Sequence, residues 1–568
     1  MCGIAGLLGA QASEPTVREM IDTLRHRGPN GVRVQMMPEA EAALAHARLS
    51  IIDLEGGWQP LHAAGATVIG NGEIYNYLEL IEEFGLKDRL ATGSDFEPLL
   101  HLYAMEGERA FQRLRGMYAF CLIGGDGRTW LVRDPFGIKP LYWRQDEASL
   151  AFASEPRALV QRGALPDKAA ELLALNYTVG DRTIFPGVER LGPGQIAEVG
   201  GGRIVSRSRR PAVEPASVAG DEAALLKRLD AVLEDSVRVH QRSDVPYGLF
   251  LSGGIDSAVV ATLMARLNSR PVTAFTCGFD APGAADERAG AERVARALGL
   301  DWRETRFGEE DFWRIAPQVA AALDDPTTDY AALPTYKLAE AAKGTLTVVL
   351  TGEGGDELFA GYGRYRRALR PALLGGRPAE PQVEAPFLVD RGRAALTRWR
   401  EAAHGAGGSA LQKSQGADIA TWLPGDLLLK LDRCLMAHGL EGRTPFLDPE
   451  VAAFAFNLPD RFKVRGRYGK WLLRSWLEGA CPAAEPWARK QGFTVPVAAW
   501  IAPRAADLAR GVSACEGVRA VCDVEGVRAV FTDDALAAKR WPLMFYALWW
   551  TIHIGGAGPQ EALEALLG

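Results

Sequence analysis

Over the first two hundred positions apolar residues recur in short, strand-like runs, and glycine, aspartate or proline interrupts nearly every one. The runs are CGIAGLLG (2–9), AALAHARLSIIDL (42–54), ATVIGNGEIY (66–75), MYAFCLIG (117–124), TWLVRDP (129–135), PLYW (140–143) and LAFAS (150–154). Helical spacing is confined to Pro15–Arg25 and Asp95–Glu106. This texture predicts two packed antiparallel sheets. A polar, proline-containing stretch comes next, RIVSRSRRPAVEPASVAGDEA (203–223), and reads as a linker.

Beyond it the period changes. VPYGLFL (245–251) is a strand; SAVVATLMARL (257–267) is a helix with Val259, Val260, Leu263, Met264 and Leu267 on one stripe. PVTAFTCGF (271–279), DERAGAERVARAL (286–298), WRETRF (302–307) and LTVVL (346–350) continue the alternation, which predicts a doubly wound parallel sheet. From about residue 358 the chain reads as mostly helical, with loop insertions such as 370–386. The apolar stretch Pro542–Ile554 falls short of the roughly 20 residues that span a bilayer, so a buried or interface helix is expected.

Two glycine-rich loops succeed strands of this second region. LSGGIDSA carries Ser252, Gly253, Gly254, Asp256 and Ser257, and TGEGGDE runs from Thr351 to Glu357. A glycine turn at a helix N-terminus lets backbone N–H groups approach phosphate oxygens. The Walker pattern GxxxxGK[ST] is absent, and Asp256 among phosphates calls for Mg2+ between them. With strand order 3-2-1-4 the first and fourth strands are neighbours, so both loops face one crevice.

Bulk properties narrow the classes. At 568 residues the chain holds two to four domains, and 48% hydrophobic with 24% charged residues is ordinary globular composition. A net charge of -7 offers no basic surface, so no nucleic-acid partner is expected, and no membrane partner either. Seven cysteines without a CxxC pair argue against a disulfide framework or zinc site, which fits a reducing cytoplasm. The N-terminus does not read as a signal peptide. Removal of Met1 would make Cys2 the first residue, giving one residue both a nucleophile and a free α-amine base.

MCGIAG, RHRGPNG (25–31), ARLSIIDL (47–54), NGEIYNY (71–77), GSDFE (93–97) and RDPFGIKPLYW (133–143) occur in order in the first part of the chain. SGGIDS, TGEGGDELFAGY, LEGRTPFLD (440–448), GKWLLR (469–474) and KQGFTVPV (490–497) occupy the second. The chain thereby resembles the glutamine-hydrolysing asparagine synthetases over nearly its whole length. The resemblance implies a two-domain α+β and α/β protein. Residues 2–205 would be an αββα N-terminal-nucleophile glutaminase, 206–222 a linker, and 223–568 an ATP-dependent synthetase domain of the adenine-nucleotide α-hydrolase type with helical additions. A homodimer is implied as well.

By the same resemblance Cys2 would attack the glutamine amide, with the Asn71 side chain and Gly72 N–H as oxyanion hole. Arg48, Leu49, Ser50, Ile51 and Ile52 would bind glutamine, with Arg48 on its α-carboxylate and Glu73 and Asp95 on its α-ammonium. Phe250, Ser252, Gly253, Gly254, Asp256, Ser257, Cys277, Thr351, Gly352 and Asp356 would surround ATP, with Asp256 and Asp356 on Mg2+. Glu353 would serve the amide-forming step and Lys470 would neutralise phosphate charge. Residues around LEGRTPFLD would wall part of an ammonia passage. The acceptor is implied to be aspartate, activated as an adenylate. One departure bears on it: Tyr330 stands where the family has an arginine suited to the acceptor's α-carboxylate, and relatives of this architecture amidate sugar or peptide acids instead.

Overall fold

The computed structural model describes residues 2–160, 163–280, 287–370, 373, 376–403, 408–489 and 495–568. Residues 490–494 of KQGFTVPV, Asp286 and parts of the 370–386 insertion lie outside them.

Twelve strands precede residue 210: β1 (Gly3–Gly9), β2 (Gly31–Met37), β3 (Ala42–Arg48), β4 (Leu61–Ala63), β5 (Ala66–Ile74), β6 (Gly116–Ile123), β7 (Thr129–Arg133), β8 (Tyr142–Gln145), β9 (Ser149–Ala153), β10 (Val188–Arg190), β11 (Gln195–Gly200) and β12 (Arg203–Arg209). They form two six-stranded sheets, ordered β10-β8-β9-β1-β3-β2 and β12-β11-β7-β6-β5-β4. Side-chain alternation assigns each face. Ile4 and Leu8 of β1 meet Ile69, Cys121 and Leu131 of the second sheet, while Ala5 and Leu7 meet Val17, Met20 and Ile21 of the helix Glu14–Asp22. Leu99, Leu100 and Tyr103 of the helix Glu97–Glu106 cover the outer face of the second sheet against Val68, Phe120 and Trp130. The result is αββα layering.

Several expectations need correction. The periodicity missed β2, β4, β10, β11 and β12; β4 and β10 span three residues each, β2 is half-buried and β12 is largely exposed. Most of β12 is exposed on a sheet edge and pairs with β11 alone, so it carries no apolar alternation. Residues 203–209 are therefore strand rather than linker. The segment 210–221 is strapped down: Ala216 N–H donates to Asn457 Oδ1 at 2.8 Å, and Val218 is buried beside Leu225 and Leu229. In the run 42–54, β3 stops at Arg48. Its neighbour β1 begins at Gly3, opposite Ala47, so Leu49 onward has no strand of β1 to pair with.

The third sheet is parallel and five-stranded, ordered β15-β14-β13-β16-β17. Its members are β13 (Tyr247–Phe250), β14 (Thr273–Phe279), β15 (Asp301–Phe307), β16 (Val348–Leu350) and β17 (Glu441–Arg443). The first four follow the expected 3-2-1-4 order, and β17 is an addition that three residues of mixed polarity could not announce. The stretch 542–554 lies mainly in the helix Arg540–His553, whose residues Arg540 to Trp549 are all buried. Among the described residues no helix is long and apolar enough to cross a membrane.

A buried polar seam joins the antiparallel sheets to the parallel one. Arg27 is fully buried; its guanidinium donates to Glu155 at 2.7 Å and, through two nitrogens, to Asp432 at 2.7 and 3.0 Å. Arg433, equally buried, donates to Asp432 at 2.9 Å and Asp324 at 2.8 Å. Removing one partner from such a set leaves uncompensated buried charge. Arg27→Met should cost on the order of 3–5 kcal/mol, read as a lowered melting temperature by scanning calorimetry; an unchanged melting temperature would show that the seam carries no stability.

Candidate active sites

The first centre forms where the two antiparallel sheets meet. Cys2 immediately precedes β1, and its backbone N–H donates to Asn71 Oδ1 at 3.0 Å across the gap between sheets. The thiol lies 3.8 Å from the Leu49 carbonyl. Asn71 is fully buried on β5, and its Nδ2 has no hydrogen-bond partner. A buried donor left unmade costs about 1–3 kcal/mol, and such atoms call for a ligand or other explanation. Gly72 is required by contact: at φ +133°, a Cβ there would lie 1.9 Å from the Met117 carbonyl oxygen.

Arg48 ends β3 and is anchored by the loop it begins, donating to the Asp53 and Leu54 carbonyls at 2.5 and 3.2 Å. In that loop Leu49 and Ile51 are buried, while Ser50 and Ile52 are half-buried. Ser50 N–H is held by Asn30 Oδ1 at 3.0 Å. Glu73 and Asp95 form an acidic wall. Asp95 accepts from the Ile74 N–H at 2.7 Å, and Glu73 Oε2 is buried without a partner. Loss of water raises both carboxyl pKa values, and Asp95 adds repulsion at Glu73. Two buried acids that resist ionising favour a bound cation. Burial likewise raises the Cys2 thiol, so it does not ionise unaided.

The second centre forms at the C-terminal edge of the parallel sheet. The loop after β13 leads into the helix Ile255–Leu267 and is closed by Ser252 Oγ, 2.9 Å from Ser257 Oγ and accepting from Gly254 N–H at 3.1 Å. The loop after β16 packs directly on it. A Cβ on Gly352 would approach Asp256 Cβ to 2.8 Å, and one on Gly355 would approach Asp256 Cγ to 2.6 Å. Gly253 packs on the other side of the first loop, against Glu287. Phe250 ends β13 against the Phe275 and Val349 cluster. Cys277 is buried on β14 with its thiol pushed up to about 12 by burial, an inert side chain.

Lys470 joins the loops, pairing with Asp256 and lying 2.7 Å from Asp356. Burial opposes its charge, but the two carboxylates outweigh burial and raise its pKa. Its backbone is left-handed, φ +55°, a conformation that costs a non-glycine residue about 1–2 kcal/mol. Among the described residues no group of three or more His, Cys, Asp or Glu could hold a metal ion. Asp256 and Asp356 are two carboxylates at a phosphate-type loop, the donor set with which Mg2+ is bound when substrate phosphates complete its shell.

Glu353 adjoins a third group, of which sequence reading missed Lys430 and Asp426. Burial raises its pKa and Lys430 opposes the rise. The Lys430 ammonium is buried and donates to Asp329 Oδ2 at 2.7 Å. Asp426 accepts from the Thr327 hydroxyl through Oδ1, while its buried Oδ2 has no partner. Trp541 Nε1 props this stretch on the Thr328 carbonyl at 2.8 Å. Tyr330 is 37% exposed and supplies no cation.

Arg443 of β17, inside the LEGRTPFLD stretch, spans the two centres. Its carbonyl accepts from Thr351 N–H at 2.9 Å, while its guanidinium lies 2.7 Å from Glu441 and 3.4 Å from Glu73. The motif drew attention to LEGRTPFLD, but the bridging role of Arg443 follows from its burial on β17.

Comparisons with known proteins agree with this layout. The family model described as asparagine synthase matches residues 228–552, and the one described as glutamine amidotransferase domain matches residues 1–208. Asparagine synthetase [glutamine-hydrolyzing] 1 of Bacillus subtilis (strain 168) is 32% identical, covering 98% of this chain and 97% of its own. Asparagine synthetase B [glutamine-hydrolyzing] of Escherichia coli (strain K12) is 29% identical over 88% of this chain and 83% of its own. Asparagine synthetase [glutamine-hydrolyzing] of Sandersonia aurantiaca is 31% identical over 84% of this chain and 82% of its own. With both family models matched and a relative above 30% identity along nearly its full length, the chain belongs to the asparagine synthase family.

Proposed function

We propose that the protein is a glutamine-dependent asparagine synthetase: it releases ammonia from glutamine at Cys2 and uses it to amidate aspartate at the centre built on Asp256, Asp356 and Lys470. The observation that carries this reading is Arg443, whose carbonyl belongs to one centre and whose guanidinium belongs to the other. Chemistry that must hand on a small nucleophile needs two sites with a common wall.

At the first centre, the Cys2 α-amine takes the thiol proton as sulfur adds to the glutamine side-chain carbonyl. A free α-amine titrates near pH 8, so a useful fraction is neutral. Asn71 Nδ2 and the Gly72 N–H hold the oxyanion, donors typically worth about 10²- to 10³-fold each. Ammonia leaves with the amine's proton, and water cleaves the thioester to glutamate. Arg48 binds the glutamine α-carboxylate, with Leu49, Ser50, Ile51 and Ile52 along its side, and Glu73 and Asp95 bind its ammonium.

At the second centre the aspartate β-carboxylate attacks the α-phosphorus of ATP and pyrophosphate departs. Ammonia then displaces AMP, with Glu353 accepting the proton. Ser252, Gly253, Gly254, Ser257, Thr351 and Gly352 cradle the phosphates, with Phe250 and Cys277 flanking the nucleotide. Lys470 neutralises charge on the departing group. Mg2+ carried by ATP would be held by Asp256 and Asp356 and would screen the phosphate charge. Ammonium ion is not nucleophilic, so ammonia must pass along β17 shielded from water.

The exposed Tyr330 favours a second reading, in which the acceptor is a sugar or peptide acid. Lys430 tips the balance toward an amino acid. Its buried cation, beside Glu353, can take the α-carboxylate, and Asp329 and Asp426 can take the α-ammonium. The division of labour is proposed as 2–205 for glutamine hydrolysis, the segment to 222 as the strap, and 223–568 for synthesis.

Incubation of purified protein with ATP, Mg2+, glutamine and aspartate should yield asparagine, AMP, pyrophosphate and glutamate, identified by mass spectrometry. An amide formed only on another acid would replace aspartate as acceptor. Cys2→Ala should abolish glutamine use and spare synthesis from added ammonium, whereas Asp256→Ala should stop AMP formation and spare glutamine hydrolysis; loss of both activities in either variant would contradict two separate centres. Lys430→Gln should raise KM for aspartate at least tenfold with KM for ATP little changed, and an unaltered KM for aspartate would remove Lys430 from the acceptor site. Because burial raises the thiol, alkylation of Cys2 by iodoacetamide should have its pH midpoint above the usual thiol value near 8.5; peptide mapping across pH 6–11 checks it, and a midpoint below that value would mean a preformed thiolate.

A further inference from the structure

A cavity of ≈ 440 Å³ opens beside Gly361 and Gly469, and four arginines line it: Arg366, Arg467, Arg474 and Arg489. No aspartate or glutamate is among its described lining residues. Gly361 is its inner wall and sits directly on the Asp356–Lys470 pair. A Cβ there would lie 1.7 Å from Asp356 Oδ1 and 2.2 Å from Lys470 Cε. The cavity therefore adjoins the place from which, on the reading proposed above, pyrophosphate departs.

The guanidinium groups spend few of their donors on the protein. Arg366 donates to the Arg467 carbonyl at 2.5 Å, and Arg467 to the Tyr468 hydroxyl at 2.7 Å. Arg474 donates to the Gly469 carbonyl at 2.8 Å and to that of Pro486. Arg467 and Arg474 both lie over the Tyr468 ring, at 4.9 and 5.4 Å. Each guanidinium has five N–H donors, and no ion pair with a described carboxylate engages any of the four. Clustered like charges repel. Such a set suits a ligand that brings several negative charges at once, with oxygens spaced for forked contacts. An amino-acid acceptor carries too little charge to answer four arginines; a linear polyphosphate carries enough.

We propose that this cavity binds a linear polyphosphate and retains inorganic pyrophosphate as it leaves the Asp256, Asp356 and Lys470 centre. This inference rests on the proposed synthetase reading for the source of the pyrophosphate, and on the cavity alone for its binding chemistry.

The test uses the full chain carrying Arg366→Ala and Arg467→Ala together, both exposed positions, with a wild-type melting curve as evidence of folding. The inhibition constant of added pyrophosphate against ATP-dependent synthesis should rise at least tenfold while KM for ATP stays within twofold. A parallel rise in KM for ATP upholds polyphosphate binding and assigns it to the nucleotide's own phosphates. If neither constant moves, the inference is overturned although the synthetase reading stands. If the unaltered protein forms neither AMP nor pyrophosphate, the synthetase reading falls separately, and calorimetric titration with inorganic pyrophosphate decides the cavity. Binding that the double variant loses supports the site; equal binding, or none to either protein, ends it.

Discussion

Arg27 cannot be buried unless carboxylates answer it, and that requirement holds the two halves of the molecule in register. Its partners Glu155 and Asp432 come from opposite halves, and Asp432 is shared with Arg433, which reaches Asp324. The charges alternate in sign along the seam, so each is compensated twice. Arg27 also donates to the Cys2 carbonyl at 3.2 Å. The position of Cys2 thus depends on a residue anchored in the other half. The helix Leu428–Met436 that supplies Asp432 also supplies Lys430, so one rigid element bears on both centres.

That dependence explains what the sequence could and could not reveal. The glycine loops are legible because glycines cluster directly after a strand in each motif, although the packing that demands them comes from the other loop: Gly352 and Gly355 leave no room for a Cβ against Asp256. The same holds for Gly72, pressed on β6. The order of the first four parallel strands follows from alternating apolar runs. By contrast, Arg27 and Asp432 are 405 positions apart, and nothing around either one marks it as buried. Arg443 and Lys430 are ordinary charged residues by pattern. Their meaning comes from β17 and from a helix packed among acids, both set by tertiary contacts. β12 failed to register for the opposite reason, since a polar edge strand has no inward face to show.

The two centres handle charge in opposite ways. Beside Cys2 the acid Glu73 is raised by burial and by Asp95, and Asp95 by burial and by Glu441, so their protonated forms are favoured until a cation stands beside them. A ligand ammonium favours ionisation, and its binding should release protons. This makes the wall selective for a cation next to the thiol, because a neutral ligand gains nothing from it. Arg443, at 3.4 Å from Glu73, limits the repulsion without cancelling it.

At Asp256 and Asp356 the protein supplies its own cation. Lys470 lies between the carboxylates, and their field keeps it charged despite burial. The loops therefore stay together without ligand, which would otherwise be opposed by two neighbouring negative charges. Phosphate oxygens arriving at these loops would compete with the carboxylates for the ammonium, and the carboxylates released from it would become available to the ion that accompanies the nucleotide. The left-handed backbone of Lys470 fixes where its side chain begins, and burial with the two carboxylates holds its end. Lys470, paired with one carboxylate from each loop, thus ties the two loops together in the ligand-free geometry.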